Sequence, residues 1–213
     1  MASEDAHFYR TADGTGLPHD PFNAIVGPRP IGWISTVDAN GTPNLAPYSF
    51  FNGFNYRPPV VGFASIGWKD SVANIEATRN FVWNLATRDL AEAMNETSAS
   101  VPASDDEFEL GRLSAVPSAL VDAPRVLESP VNFECVLTQL IQLTDADGAE
   151  IPSWLVLGQV VAAHIDRRYL VDGVYDTAGP VPILRAGGPA DYVAVERDSM
   201  FKMVRPDDRN RSG

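Results

Sequence analysis

The sequence predicts a mainly β protein, an antiparallel sheet closed or nearly closed into a barrel with a few peripheral helices. Runs of β-branched and aromatic residues recur along the chain, separated by Gly, Pro, Asn-Gly and Asp-Gly turns. Helical spacing is confined to two short windows, 70–80 and 88–97. Two long strand-like runs, 131–143 and 154–166, dominate the second half. Many antiparallel strands with few helices between them make a barrel the natural architecture.

Residues 1–21 are polar and Gly-containing and read as an N-terminal arm, ahead of one domain over 22–196 and a C-terminal tail over 197–213. Ile31–Val37 reads as the first strand and Asp38-Ala39-Asn40-Gly41 as a hairpin turn, since Asn-Gly tolerates positive φ. Pro43–Tyr48 returns as its partner. Val60–Ser65 is a third strand, entered by Pro58-Pro59, which cannot lie inside a ladder. Pro47–Asn52 reads as part of the segment joining the second strand to the third. Asp70–Asn80 has helical spacing with Val72 and Ile75 on one face, and Phe81–Ala86 reverts to strand. Arg88–Thr97 is the second helix, with Leu90, Ala91 and Met94 on one side. Residues 98–130 carry scattered prolines, the acidic cluster Asp105-Asp106-Glu107 and no sustained period, and read as a surface excursion. The two long strands are joined around the Asp147-Gly148 turn. A loop over 180–188 precedes the apolar stretch 191–195.

Composition excludes several function classes. With 213 residues, 45% hydrophobic and 21% charged, the chain can bury a real core. No apolar run approaches the roughly 20 residues that span a bilayer, and the acidic N-terminus lacks the apolar region of a signal peptide. A cytoplasmic location is therefore expected. A net charge of −12 argues against a nucleic-acid or anionic-membrane partner. Cys135 is the only cysteine, so no intrachain disulfide and no cysteine-based zinc site is expected. His7, His19 and His164 have no metal-ligand spacing, and no metal site is expected.

Two segments carry chemistry. In Gly67-Trp68-Lys69-Asp70-Ser71, Asp70 or Ser71 can cap the following helix, leaving free amides and a positive helix end beside the Lys69 charge. That arrangement favours an anion; an ordinary cap beside a solvated lysine is the alternative. In Pro47-Tyr48-Ser49-Phe50-Phe51-Asn52, aromatics crowd between small polar groups. Flat rings need such faces and edge hydrogen bonds, although core aromatics in a barrel strand would give the same pattern. Together they suit a ligand with a flat ring and a phosphate, such as a flavin nucleotide. No nucleotide-binding glycine fingerprint or P-loop occurs, and Ser49 lacks a nucleophile elbow. His164 reads as a sheet histidine, and Asp105-Asp106-Glu107 as a solvated acidic loop.

With these residues in hand, the chain resembles the flavin reductase-like, FMN-binding split-barrel family over roughly Phe22–Val195. The segments that carry the resemblance are Pro28–Thr36, Asn44–Asn52, Lys69-Asp70-Ser71 with Asn74-Ile75, and Phe81–Leu85. Further along are Asp106-Glu107-Phe108-Glu109, Glu134-Cys135, and Arg185-Ala186-Gly187-Gly188 with Tyr192. The resemblance implies an antiparallel split β-barrel of Greek-key type and a homodimer with FMN near its interface. It implies Pro47, Tyr48, Ser49, Phe50, Phe51 and Asn52 along the isoalloxazine edge. Ser65 and Gly67–Ser71 would hold the ribityl phosphate, Lys69 and Ser71 most directly, with Asp70 between them. Arg29 and Arg185 are secondary candidates for phosphate, flavin or partner-subunit contacts, and His164 for the nicotinamide side. Leu110-Gly111-Arg112-Leu113 and Gly158-Gln159 depart from the usual family pattern on the substrate side.

The resulting expectation is an NAD(P)H-dependent flavin reductase using FMN, with FAD the alternative, NAD(P)H a transient reductant and a partner oxygenase a candidate recipient of reduced flavin. Hydride transfer to flavin N5 needs stacking, distance and charge stabilisation rather than an acid–base dyad, and no such dyad stands out. The alternatives are a dimeric FMN-binding electron carrier without NAD(P)H oxidation, and an FMN-dependent enzyme acting on an organic substrate beneath the 98–130 excursion.

Overall fold

In the computed structural model, which describes residues 6–99, 101–102 and 106–203, an exposed arm leads into the single turn of helix α1 (Phe22–Ile25). Strand β1 (Arg29–Pro30) is followed by β2 (Gly32–Val37), β3 (Pro43–Tyr48), β4 (Phe51–Tyr56) and β5 (Pro59–Ile66). Helix α2 (Asp70–Thr78) and β6 (Asn80–Asn84) come next, then α3 (Ala91–Glu96), α4 (Glu107–Leu110), β7 (Ala115–Val116) and β8 (Arg125–Val126). The long hairpin of β9 (Val131–Thr144) and β10 (Glu150–Ile165) precedes β11 (Leu170–Val171), β12 (Val174–Tyr175), β13 (Ile183–Arg185) and β14 (Tyr192–Ala194).

Turn chemistry fixes both major hairpins. The Asp38 carboxylate accepts the amides of Asn40 and Thr42, each at 2.8 Å, and Gly41 takes φ +87°, reversing the chain between β2 and β3. Asp145 does the same for Asp147 and Ala149 between β9 and β10.

Seven strands form one antiparallel sheet in the order β3-β2-β6-β9-β10-β5-β4. Its two outermost strands, β3 and β4, are consecutive in the chain and separated only by Ser49 and Phe50. The sheet must therefore curl until its edges lie side by side. Those edges do not pair with each other, which leaves the barrel split along that seam. A smaller sheet, β1-β13-β14, and the pairs β7-β8 and β11-β12 complete the strands.

Side-chain alternation divides the interior into two cores. Ile34, Tyr48, Phe51, Phe63, Phe81 and Trp83 pack inside the barrel with Val72 and Ile75 of α2. Trp33 and Leu45, one residue out of phase, point outward and pack with Met94 of α3, Phe108 of α4, Val126 and Ile183. β2 is consequently buried along its whole length, which explains its unbroken run of poorly solvated residues. The described stretch from Asp106 to Pro130 crosses this outer face. It is held there by Phe108 and Val126 and by Glu134, whose carboxylate accepts the amides of Ala119 and Leu120 at 2.7 and 2.6 Å.

The structure corrects four local expectations. Pro47–Asn52 is not one joining segment: it contains the end of β3, a two-residue link and the start of β4, an edge strand that sequence reading missed. Pro59 does enter the ladder, as the first residue of β5 opposite Tyr56, where a missing donor is tolerated. The 180–188 loop contains β13, which pairs with β1. The helix expected over 88–97 is regular only from Ala91 to Glu96. Asp105 of the acidic cluster and the tail beyond Met203 lie outside the described residues. No described helix is long and apolar enough to cross a membrane.

Candidate functional site

The α2 N-terminus is built by the turn before it. Ser65 donates its hydroxyl to the Gly67 carbonyl at 2.9 Å, and the Gly67 amide donates to Pro152 O on β10 at 2.9 Å. Gly67 has φ +87°, a conformation side chains resist. Lys69, in extended conformation, occupies the N-cap position, and no side chain caps the helix. Asp70 and Ser71 stand in the first turn, so the expected Asp70 or Ser71 cap is absent. Ser71 instead accepts a buried hydrogen bond from Asn44 Nδ2 at 3.0 Å, which leaves its own proton available to donate. The positive end of the helix is thereby left to whatever lies in front of it.

In front of it is a cavity of about 270 Å³ lined by Asn44, Pro47, Tyr48, Lys69, Asp70 and Ser71 on the barrel side and by Thr97 and Glu107 opposite. Tyr48 Oη faces the same region, with Ser65 and Ser71 beside it, and is the one buried side-chain polar atom without a hydrogen-bond partner among the described residues. Burial pushes its phenol pKa up, so the group is held as a neutral donor. An uncapped helix end, a lysine, an unused hydroxyl proton on Ser71 and an orphaned phenol form a donor set suited to a phosphate. Asp70 and Glu107 oppose it. Burial raises the Glu107 carboxyl above the ordinary carboxylate range, while the Leu45 amide at 3.2 Å favours its charged form.

The remaining expected residues divide. Phe51 is a core residue, its ring stacked on Trp83 at 5.4 Å with planes 5° apart. Ser49 and Phe50 form the half-buried link between β3 and β4, and the Phe50 ring lies under the Arg29 guanidinium, 5.2 Å from its carbon. Asn52 is exposed and turns its carbonyl to the Gly53 amide. The aromatic run is thus partly core, the alternative left open by its sequence. Arg29 is buried and donates to the carbonyls of Ser49, Asn23 and Val26.

Arg185 does not line the 270 Å³ cavity. It donates to the carbonyls of Gly188 and Pro189, stacks on Tyr192, and borders a separate groove of about 710 Å³ lined in part by α3. His164 is also elsewhere, 2.6 Å from the buried Glu134 carboxylate and bordering a groove with Arg125 and Asn132. Burial alone would push the Glu134 carboxyl up, but the Ala119 and Leu120 amides and His164 hold it below the usual range. Cys135 is buried and its thiol pKa is driven upward by desolvation, the state of an inert core thiol.

Sequence reading missed Asn44, Thr97 and Glu107 as cavity residues. Glu107 belongs to a cluster expected to be solvated, yet it is buried. The signal was an N-terminal capping pattern, because Asp106 accepts the Phe108 amide at 2.8 Å and opens α4. Asn44 and Thr97 had no local signal: their roles arise from contacts with Ser71 and with Trp33, whose indole donates to Thr97 Oγ1 at 3.0 Å.

Comparison with known proteins gives a consistent result. The model of the flavin reductase-like domain matches residues 27–179. An uncharacterized protein of Aquifex aeolicus is 39% identical over 126 residues, 57% of this chain and 64% of the relative's own length. Among solved structures, nitrilotriacetate monooxygenase component B from Bacillus cereus is 28% identical with a TM-score of 0.78, covering 85% of this chain and 90% of that one. The 2-nitrobenzoate 2-nitroreductase NbaA of Pseudomonas fluorescens is also 28% identical, with a TM-score of 0.76 and coverage of 90% and 92%.

Proposed function

Because this chain belongs to the flavin reductase-like family and has its split-barrel fold, we propose that within that flavin-related oxidoreductase class it is an NAD(P)H-dependent flavin reductase using FMN. The observation that carries the FMN reading is the cavity before α2. There a lysine, an uncapped helix end, the Ser71 hydroxyl and the unpartnered Tyr48 phenol converge, and among the described residues none of them pairs with the Asp70 or Glu107 carboxylate that also borders the cavity. Lys69, Ser71 and Tyr48 bind the phosphate in this reading, and Ser65 and Gly67 keep the turn in shape. Pro47 and the Ser49–Phe50 link lie toward the ring system in this reading. Bound FMN would supply a two-electron acceptor for hydride from the nicotinamide.

The chain's own contribution is binding and orientation, so the lack of an acid–base pair in the cavity is in keeping with the chemistry. A homodimer would supply the remaining walls of the ring site, which one chain leaves open. A similar protein named as one component of a monooxygenase supports an oxygenase as recipient of the reduced flavin.

The test is the visible spectrum of the purified protein with FMN, before and after anaerobic NADH or NADPH. Bleaching by either nucleotide is expected. Protein that takes up FMN but is not bleached would be an electron carrier, and protein that takes up no FMN would end the flavin reading. The same titration with FAD decides the nucleotide.

A further inference from the structure

We infer that Arg29 is a positioning residue for the flavin edge: its buried guanidinium fixes the Ser49–Phe50 link and holds a positive charge there that no carboxylate among the described residues neutralises. The inference rests on the reading above that the flavin lies along Pro47–Asn52.

Arg29 is 8% exposed, on a two-residue strand between the N-terminal segment and the barrel. Its Nε donates to Ser49 O at 3.0 Å, and Nη1 donates to Asn23 O at 2.5 Å and to Val26 O. Asn23 lies within α1 and Val26 directly follows it, so their carbonyls are among those a helix end leaves without intrahelical partners. The guanidinium plane also covers the Phe50 ring. Phe50 O is in turn held by the Ala64 amide at 2.8 Å. The link between the barrel's two open edges is therefore gripped on consecutive carbonyls, one by Arg29 and one by β5. Pro47 and Tyr48, which line the phosphate cavity, immediately precede it.

The charge is the unusual part. Among the described residues no carboxylate pairs with Arg29, and its hydrogen-bond partners are all neutral carbonyls. A buried cation without a counter-charge is costly, and a plain structural clamp does not require one. Beside a ligand that gains negative charge on reduction, the same cation favours the reduced form electrostatically. Lysine would keep the charge but not the planar fork that reaches three carbonyls, and glutamine would keep a donor without the charge.

The experiment uses the full chain and reads two quantities, the dissociation constant of oxidised FMN and the reduction potential of the bound flavin. In Arg29→Gln the preference for reduced over oxidised flavin should fall about tenfold, a drop of about 30 mV for a two-electron couple. In Arg29→Lys the potential should stay within about 10 mV of wild type while oxidised FMN binds several-fold more weakly. Equal potentials in all three proteins, or equal drops in both variants, would overturn the inference and leave Arg29 a structural clamp. If Arg29→Gln does not fold, Arg29→Met replaces it as the charge-removing variant: a drop of about 30 mV in Arg29→Met with a retained potential in Arg29→Lys supports the charge, and equal potentials in both remove it. A wild-type protein that takes up no FMN sinks the flavin reading and this inference together, an outcome visible before either variant is made.

Discussion

A buried hydroxyl without a partner costs about 1–3 kcal/mol, which makes Tyr48 an unstable choice unless something occupies the cavity it faces. Tyr48→Phe should leave the ligand-free protein equally or slightly more stable and weaken FMN about tenfold, while riboflavin, which lacks the phosphate, binds as before. Titration of both ligands by flavin fluorescence checks this; equal loss for both would move Tyr48 away from the phosphate. Lys69→Ala should weaken FMN by about 1–3 kcal/mol through a lost charge-assisted contact, and unchanged affinity would make Lys69 a solvated lysine. Glu107 sets a pH dependence. Burial raises its pKa above the unfolded value of 4.5, so the folded chain keeps the proton where the unfolded chain has lost it. Well below that value both states are protonated and nothing is lost. As pH rises through the folded value, stability falls, and above both values the full penalty applies. Glu107→Gln keeps an acceptor for the Leu45 amide without the charge, so the variant's melting temperature should gain on wild type as pH rises above the unfolded value of 4.5 and level off once the folded carboxyl has ionised. A constant difference across that range would show that Glu107 carries no net burial penalty. None of these three roles follows from residue type alone: Lys69 was legible beside a helix start, whereas the isolation of Tyr48 and the burial of Glu107 arise only when β3, α2 and α4 meet.

Helix α2 begins without a side-chain cap although Asp70 and Ser71, two good capping residues, lie one and two positions too late. A cap is worth about 0.5–2 kcal/mol, so leaving Lys69 at that position keeps the helix end free for a ligand at the expense of the apo protein. Lys69→Ser should supply the cap and raise the melting temperature of the ligand-free protein while lowering FMN affinity. A variant that loses affinity without gaining stability would mean the cap does not form. The helix itself was readable from its spacing, and so were the long strands of the β9–β10 hairpin with their Asp-Gly turn. β4 was not. Its sequence, Phe-Asn-Gly-Phe-Asn-Tyr, mixes strand-favouring aromatics with Asn and Gly, which strands avoid, and all but Phe51 are exposed because it is an edge strand. β1 and β13, at two and three residues, carry too little period to be seen, and are defined only by their pairing with each other, Arg29 opposite Arg185 and Pro30 opposite Leu184.

The barrel class was visible in the strand count, but its closure was not, because it depends on β3 and β4 being the two ends of the sheet order. That order also makes β2 the wall shared by two cores: Ile34 points into the barrel and Trp33 away from it, toward α3, α4 and β13. Trp33 is fully buried, and its indole donates to Thr97, which lines the far side of the cavity before α2. Removing that side chain leaves a cavity in the outer core and takes from Thr97 the hydrogen bond it accepts, while the hydroxyl keeps its own donation to Met94 O at 2.8 Å. Trp33→Ala should cost about 3–5 kcal/mol, a fall of roughly 6–20 °C in melting temperature for a chain of this size. Because both cores hang on the same strand, the loss should lower the whole transition, with far-ultraviolet dichroism and tryptophan fluorescence melting together. Saturating FMN, at about one hundred times its dissociation constant, should return about 2.7 kcal/mol to any variant that still binds it. Two separated transitions in Trp33→Ala would instead mean that the outer layer of α3, α4 and the 98–130 segment unfolds by itself, with the barrel persisting alone.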